Sequence, residues 1–219
     1  GTGEALQMGE EGNADVLLVH APAAEMELMD AGYGKERYLV MHNDFIFVGP
    51  ADDPAKIKGL QSPAEVLSTI AEAQANFISR GDDSGTHKKE MSLWGKTDIA
   101  PSENNEWYLQ TGQGMGDTLK VASEKIGYTL TDRATYLALK ETLSLEILVE
   151  GDPSLLNVYH IITVNPEKFP LVNAEGGKAF ADFMIDPDIQ KVIGEFGADK
   201  YSSPLFFPDA DKTDADLGL

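Results

Sequence analysis

Cysteine is absent from this 219-residue chain, so it contains no disulfide, no thiolate metal site and no cysteine nucleophile. Positive charge is scarce: 17 Lys and Arg stand against 37 Asp and Glu, a formal charge of −20 that argues against a nucleic-acid or anionic-membrane surface. An anion bound by such a chain must be held locally, by directed N–H and O–H donors in a recessed site. No apolar run approaches the ~20 residues of a membrane span. The start carries no basic, apolar and small-residue sequence of a signal peptide. It opens without Met on Gly1-Thr2-Gly3, and a processed or truncated form is expected.

Sets of residues that would assemble a reaction are also lacking. There is no Gly-x-Ser-x-Gly elbow, and Ser84 with His87, three apart and without a third orienting group, does not form an activated pair. His20, His42, His87 and His160 are scattered without metal-ligand spacing, so each is expected to be a loop or strand residue. Asp52-Asp53 and Asp82-Asp83 fall short of the ligand count of an EF-hand loop. No catalytic residue, metal site or cofactor is expected. With 42% hydrophobic and 25% charged residues, the chain is an ordinary folded one, long enough for one large domain or two small ones.

What is present is the polar loop Ser79-Arg80-Gly81-Asp82-Asp83-Ser84-Gly85-Thr86-His87. The short apolar Asn76-Phe77-Ile78 before it reads as a strand end, and Lys88 to Trp94 after it reads as a helix. A loop in that position points backbone N–H groups and hydroxyls toward one spot, where the helix N-terminus favours an anion. The alternative is that Asp83 or Ser84 merely caps the helix while Arg80 pairs with a neighbouring carboxylate.

Strand and helix signals alternate along the rest of the chain. Ala14 to His20 reads as a strand buried on both faces, and His20-Ala21-Pro22 turns it into a helix over 23–31. Tyr38 to Met41 and Phe45 to Val48 read as two strands around the polar His42-Asn43-Asp44. The run from Gly49 to Pro54 breaks regular structure and marks a first domain boundary; Asn165-Pro166 marks a second. Ser62-Pro63-Ala64-Glu65 opens a helix, and a second glycine loop, Gly112 to Gly116, precedes another. Glu146 to Glu150 and Val158 to Val164 read as strands, and two amphipathic helices fall between residues 179 and 196. The tail from Ser203 reads as weakly structured. This alternation predicts α/β layers with mostly parallel strands and ligand sites beyond their carboxyl ends, where His20-Ala21-Pro22, the Ser79–His87 loop and Gly127 to Asp132 fall.

Three phrases together resemble the tungstate-binding extracytoplasmic proteins of ABC transporters: the Ser79–His87 loop, Ala14-Asp15-Val16-Leu17-Leu18-Val19-His20-Ala21-Pro22-Ala23, and Tyr128-Thr129-Leu130-Thr131-Asp132-Arg133-Ala134-Thr135-Tyr136. The resemblance covers almost the whole chain. It implies a two-lobed α/β type II periplasmic-binding-protein fold with two hinge strands, closing around one oxyanion. Lobe one would comprise residues 1–50 and 166–219, and lobe two residues 51–165. It implies oxyanion contacts from Arg80, Ser84, Gly85 and Thr86 in lobe two, and from Thr2 and the amide of Ala21 in lobe one. The first strand of lobe one, with its Thr/Ser-rich loop, is expected to be absent from this chain. The implied ligand is tungstate, with molybdate second; the partner is the membrane permease, the location periplasmic or extracytoplasmic, and the state monomeric. Two other readings stay open: the ligand-sensing effector domain of a transcriptional regulator, which would need a DNA-binding segment not found here, and a sulfate- or phosphate-type oxyanion-binding protein.

Overall fold

The computed structural model describes residues 2–218. In chain order it contains α1 (Thr2–Glu10), β1 (Val16–Val19), α2 (Pro22–Asp30), β2 (Gly34–Gly49), α3 (Pro63–Glu72), β3 (Phe77–Ser79), α4 (Gly85–Trp94), β4 (Tyr108–Gln110), α5 (Met115–Glu124), β5 (Thr129–Asp132), α6 (Arg133–Leu139), β6 (Glu146–Val149), β7 (Leu156–Val164), α7 (Ala174–Ile185), α8 (Pro187–Glu195), α9 (Ala198–Tyr201) and β8 (Phe207–Pro208). The chain forms two compact units. One comprises residues up to Asn43 and from Asn157 onward; the other is Asp44–Leu156. The chain thus passes between units within β2 and near the start of β7, several residues before the breaks expected after residues 50 and 165.

Pro and Gly punctuation places most helix ends. Pro22, Pro63 and Pro187 stand in the first turns of α2, α3 and α8, where a missing N–H removes only a donor that has no intrahelical acceptor. Side-chain caps start others: Ser84 accepts from the His87 amide, Asp132 from Thr135, Asn173 from Gly176 and Asp186 from Asp188.

Where two strands were expected, β2 is one strand of sixteen residues. It crosses His42-Asn43-Asp44 unbroken because each polar side chain has a partner: His42 Nδ1 meets Asp209 at 2.6 Å, Asn43 accepts from Asn157 at 2.8 Å, and Asp44 takes Arg133 Nε at 2.8 Å. The expectation of mostly parallel strands is corrected as well. β2 pairs antiparallel with β5, β6 and β8, and β1 antiparallel with β7, whereas β3 and β4 are parallel. A crossover helix gives a parallel neighbour only when the chain returns to the same sheet in the same sense, as happens between β3 and β4 through α4.

In the unit formed by Asp44–Leu156, alternate residues of β2 enter different cores. Phe45 and Phe47 join Phe77, Trp94, Trp107, Tyr108 and Tyr128; Ile46 and Val48 join Ile78, Leu119 and Tyr136. A sheet covered on both faces explains the unbroken apolar run of this segment. In the other unit, Leu6, Leu17, Val19, Leu28, Ile162 and Val164 form one core and Val40, Ile161 and Ala181 a smaller one. Here β1 departs from expectation, since Leu18 is 40% exposed and the strand is fully buried on one face only.

From Ser203 to Gly218 the tail is ordered rather than weakly structured; Leu219 lies outside the described residues. Asp209 is fully buried, its amide donates to Val40 O at 3.0 Å, and Lys212 Nζ lies 2.8 Å from its carboxylate. Its carboxyl lies below the usual range: burial raises it, but the hydrogen bonds and charges of His42 and Lys212 outweigh that.

Candidate functional site

β3 is three residues long and fully buried, and at its carboxyl end the chain leaves the core as the polar loop. Two residues there take left-handed backbone, Gly81 at φ +61 and Asp83 at φ +57. Gly81 is required twice over, because a Cβ at that position would stand 2.8 Å from Gln110 Cβ at the end of β4. The second glycine loop braces the first: the Thr111 amide donates to Ser79 O at 3.0 Å and the Gly112 amide to Arg80 O at 2.8 Å.

A buried carboxylate supports the loop from below. Glu90, one turn beyond Thr86 on α4, accepts from Ser79 Oγ at 2.7 Å, Tyr108 OH at 2.7 Å and Trp94 Nε1 at 3.2 Å. Ser79 Oγ in turn accepts the Gly81 amide at 3.2 Å. Burial pushes the Glu90 carboxyl above its ordinary value, and these donors offset only part of that. The same burial, with the Glu90 charge, raises the Tyr108 hydroxyl.

Of the residues expected to hold an oxyanion, four come together here. Ser84 caps α4, Gly85 and Thr86 are its first two residues, and their N–H groups have no carbonyl four residues back within the helix. Arg80 places one guanidinium NH2 on Asp82 at 2.5 Å, while its buried Nε has no hydrogen-bond partner. Asp82 lies below the ordinary carboxylate range; burial raises it, and hydrogen bonds from Ser84 and Arg80 more than compensate. The capping and pairing that were the alternative to anion binding are therefore both present, and they leave donors over.

The other two expected contacts belong to the other unit, formed by residues up to Asn43 and from Asn157 onward. Thr2 is the first residue of α1, and Ala21 precedes Pro22 at the start of α2; these helices pack against one another. The Ala21 amide is already engaged, donating to Glu25 Oε1 at 2.7 Å. Glu25 is wholly buried, with Oε2 3.0 Å from Arg37 and 2.9 Å from His160 Nδ1. Asp214 completes the network, 2.8 Å from Arg37 and 3.0 Å from His160 Nε2. Burial raises the Glu25 carboxyl, yet the hydrogen bond and charge of His160, the Ala21 amide and Arg37 together hold it below its usual value.

Reading the sequence singled out none of Ser79, Glu90 or Glu25 for these roles. Neither contact had a local signal: Glu25 stands four residues after the cap Ala21, one beyond the capping-box position, and the Ser79–Glu90 contact spans eleven residues. Three of the four histidines serve structure, His20 against Asn157, His42 against Asp209 and His160 in the Glu25 network. Among the described residues no group of His, Asp and Glu is arranged to hold a metal ion.

Residues 1–188 match the family described as a PBP superfamily domain. The chain is 53% identical over 215 residues to the tungstate-binding protein TupA of Peptoclostridium acidaminophilum, spanning 97% of this chain and 74% of that protein. With the tungstate-binding protein TupA of Campylobacter jejuni it shares 43% over 214 residues, 96% of this chain and 78% of that one. Among solved structures it is similar to the tungstate-binding protein TupA from Desulfovibrio alaskensis G20, with a TM-score of 0.87 and 49% identity over 96% of this chain and 84% of that one. It is also similar to the tungstate ABC transporter structure from Geobacter sulfurreducens, with a TM-score of 0.71 and 44% identity over 90% and 83%. The chain therefore belongs to the TupA family of ABC-transporter solute-binding proteins, a non-enzymatic group within the PBP superfamily with the type II periplasmic-binding fold.

Proposed function

We propose that this chain is the receptor that captures tungstate, as the intact oxyanion, for an ABC transporter and delivers it to the membrane permease. The observation that carries this reading is the loop between β3 and α4. It combines Arg80, whose buried Nε is without a partner, with the first-turn amides of Gly85 and Thr86 and the hydroxyl of Ser84. Tungstate near neutral pH is a fully ionised tetrahedral dianion, and it accepts hydrogen bonds without donating any. A cluster of donors that includes one guanidinium is its complement, and charge-assisted bonds of this kind are the strong ones.

Arg80, Ser84, Gly85 and Thr86 are the proposed contacts in this unit. Thr2 and Ala21 remain the candidates of the other unit; since Glu25 holds the Ala21 amide, the neighbouring Ala23 and Ala24 amides are the ones without an intrahelical acceptor. Molybdate, of the same charge and shape, is the expected second ligand, and sulfate is rejected as the smaller tetrahedron. The chain would act as a monomer outside the cytoplasmic membrane; among the described residues no helix is long and apolar enough to cross one.

Calorimetric titration with sodium tungstate, molybdate, sulfate and phosphate tests the assignment. Heat and a raised melting temperature are expected with the first two, and silence with both overturns it. Arg80→Glu sets a carboxylate against the dianion and should abolish binding; retained affinity removes Arg80 from the site.

A further inference from the structure

We propose that His87 is a further ligand-contacting residue of this site, a neutral imidazole that donates its Nε2–H to the oxyanion. The proposal rests on the oxyanion reading and extends its contacts beyond Arg80, Ser84, Gly85 and Thr86.

Among the described residues, two buried side-chain nitrogen or oxygen atoms have no hydrogen-bond partner: Arg80 Nε and His87 Nε2. Both come from the Ser79–His87 stretch, Arg80 in its loop and His87 in the first turn of α4. The Asp83 amide donates to His87 Nδ1 at 3.0 Å, which requires a lone pair on that nitrogen. A neutral ring that accepts at Nδ1 carries its proton at Nε2, so Nε2 is a donor. The left-handed backbone of Asp83 takes part in this contact, and the His87 amide, bound to Ser84 Oγ at 3.4 Å, ties the same residue into the first turn of the helix.

Glu90 does not supply the missing acceptor: its oxygens receive Ser79, Tyr108 and Trp94, and neither is within hydrogen-bond reach of His87 Nε2. Two buried donors of this stretch, a guanidinium Nε–H and an imidazole Nε2–H, need an acceptor that the described residues do not provide. A fully ionised tetrahedral oxyanion supplies acceptors in several directions at once. A neutral donor adds a directed contact without adding charge, and its direction is fixed in advance because the Asp83 amide selects the tautomer.

Two substitutions separate a ligand contact from a structural one. His87→Asn keeps an acceptor near the Nδ1 position for the Asp83 amide but has nothing at the Nε2 position; His87→Gln places an amide near Nε2 and gives up the Asp83 contact. Titrated with sodium tungstate, the Asn variant should bind roughly 10–100-fold more weakly than the unaltered chain, the worth of one hydrogen bond to a charged partner. The Gln variant should retain more affinity than Asn. The reverse order, or an Asn variant within threefold of the unaltered chain, overturns the proposal. Nitrogen-15 spectra of the histidine rings read the unaltered protein directly: an Nε2-protonated His87 whose signal shifts on saturation with tungstate is expected. An Nδ1-protonated ring, or a signal unmoved by saturation, overturns it even if neither variant folds. Should the unaltered chain take up no tungstate, the oxyanion reading falls and this proposal with it; uptake with an unmoved ring signal removes His87 alone.

Discussion

Arg80→Met should sever ligand capture from stability in opposite directions. The side chain is 18% exposed, its Nε is buried without a partner among the described residues, and it forms an ion pair with Asp82, itself 21% exposed. An unsatisfied buried donor costs about 1–3 kcal/mol, which the thioether does not incur. The lost Arg80–Asp82 pair is worth about 0–1 kcal/mol, since both side chains reach solvent and Asp82 retains the Ser84 amide. Without ligand the variant should therefore equal the unaltered chain or exceed it by up to ~3 kcal/mol, a rise of roughly 0–12 °C in melting temperature. Two charge-assisted contacts to the oxyanion would be lost, about 3–6 kcal/mol, or two to four orders of magnitude in affinity. Differential scanning calorimetry with and without sodium tungstate, with isothermal titration, measures both. A ligand-free variant melting several degrees lower, or tungstate affinity within tenfold, would refute the reasoning.

The same physics makes predictions elsewhere. Glu25→Ala takes from Arg37 and the buried His160 their buried carboxylate, leaving them only the part-exposed Asp214, and should cost about 3–5 kcal/mol by urea denaturation, because removing one member of a buried charge network leaves the others undercompensated. Since the folded Glu25 carboxyl lies below its ordinary value of 4.5, its stabilisation is present above that pH and is lost as the pH falls through the depressed value; Glu25→Gln should narrow the gap to the unaltered chain in acid. Glu90 has the opposite sign. Its carboxyl is raised, so its contribution is complete below 4.5 and disappears as the pH rises through the raised value, and Glu90→Gln should gain stability relative to the unaltered chain between weakly acidic and neutral pH. Gly81→Ala meets both the left-handed backbone and Gln110 and should cost about 1–3 kcal/mol while weakening tungstate binding; an unchanged denaturation midpoint would show that the loop has another conformation available.

Much of the candidate site was legible as local structure because it is local. A nine-residue loop between a short apolar strand and a helix carries its capping serine, its guanidinium and its helix-start amides within one stretch of chain, and nearest-neighbour chemistry describes all three. Element types were legible for the same reason, from apolar runs, proline at helix starts and polar caps. The unbroken passage of β2 through His42-Asn43-Asp44 was not, since Asp209, Asn157 and Arg133 lie 89 to 167 residues away along the chain. Strand polarity escaped too, as helix–strand alternation does not say which sheet a returning strand joins.

The sequence by itself determined that this is an acidic, cysteine-free α/β protein with a donor-rich loop at a strand end and no set of reacting groups. Those properties follow from residue type and short-range spacing. Only the tertiary structure decided which donors remain over. Whether an Arg, a His or a backbone amide is satisfied depends on what the fold brings beside it. Asp82 takes one edge of Arg80, Asp83 takes Nδ1 of His87 and Glu25 takes the Ala21 amide, while Arg80 Nε and His87 Nε2 are left buried and unpaired.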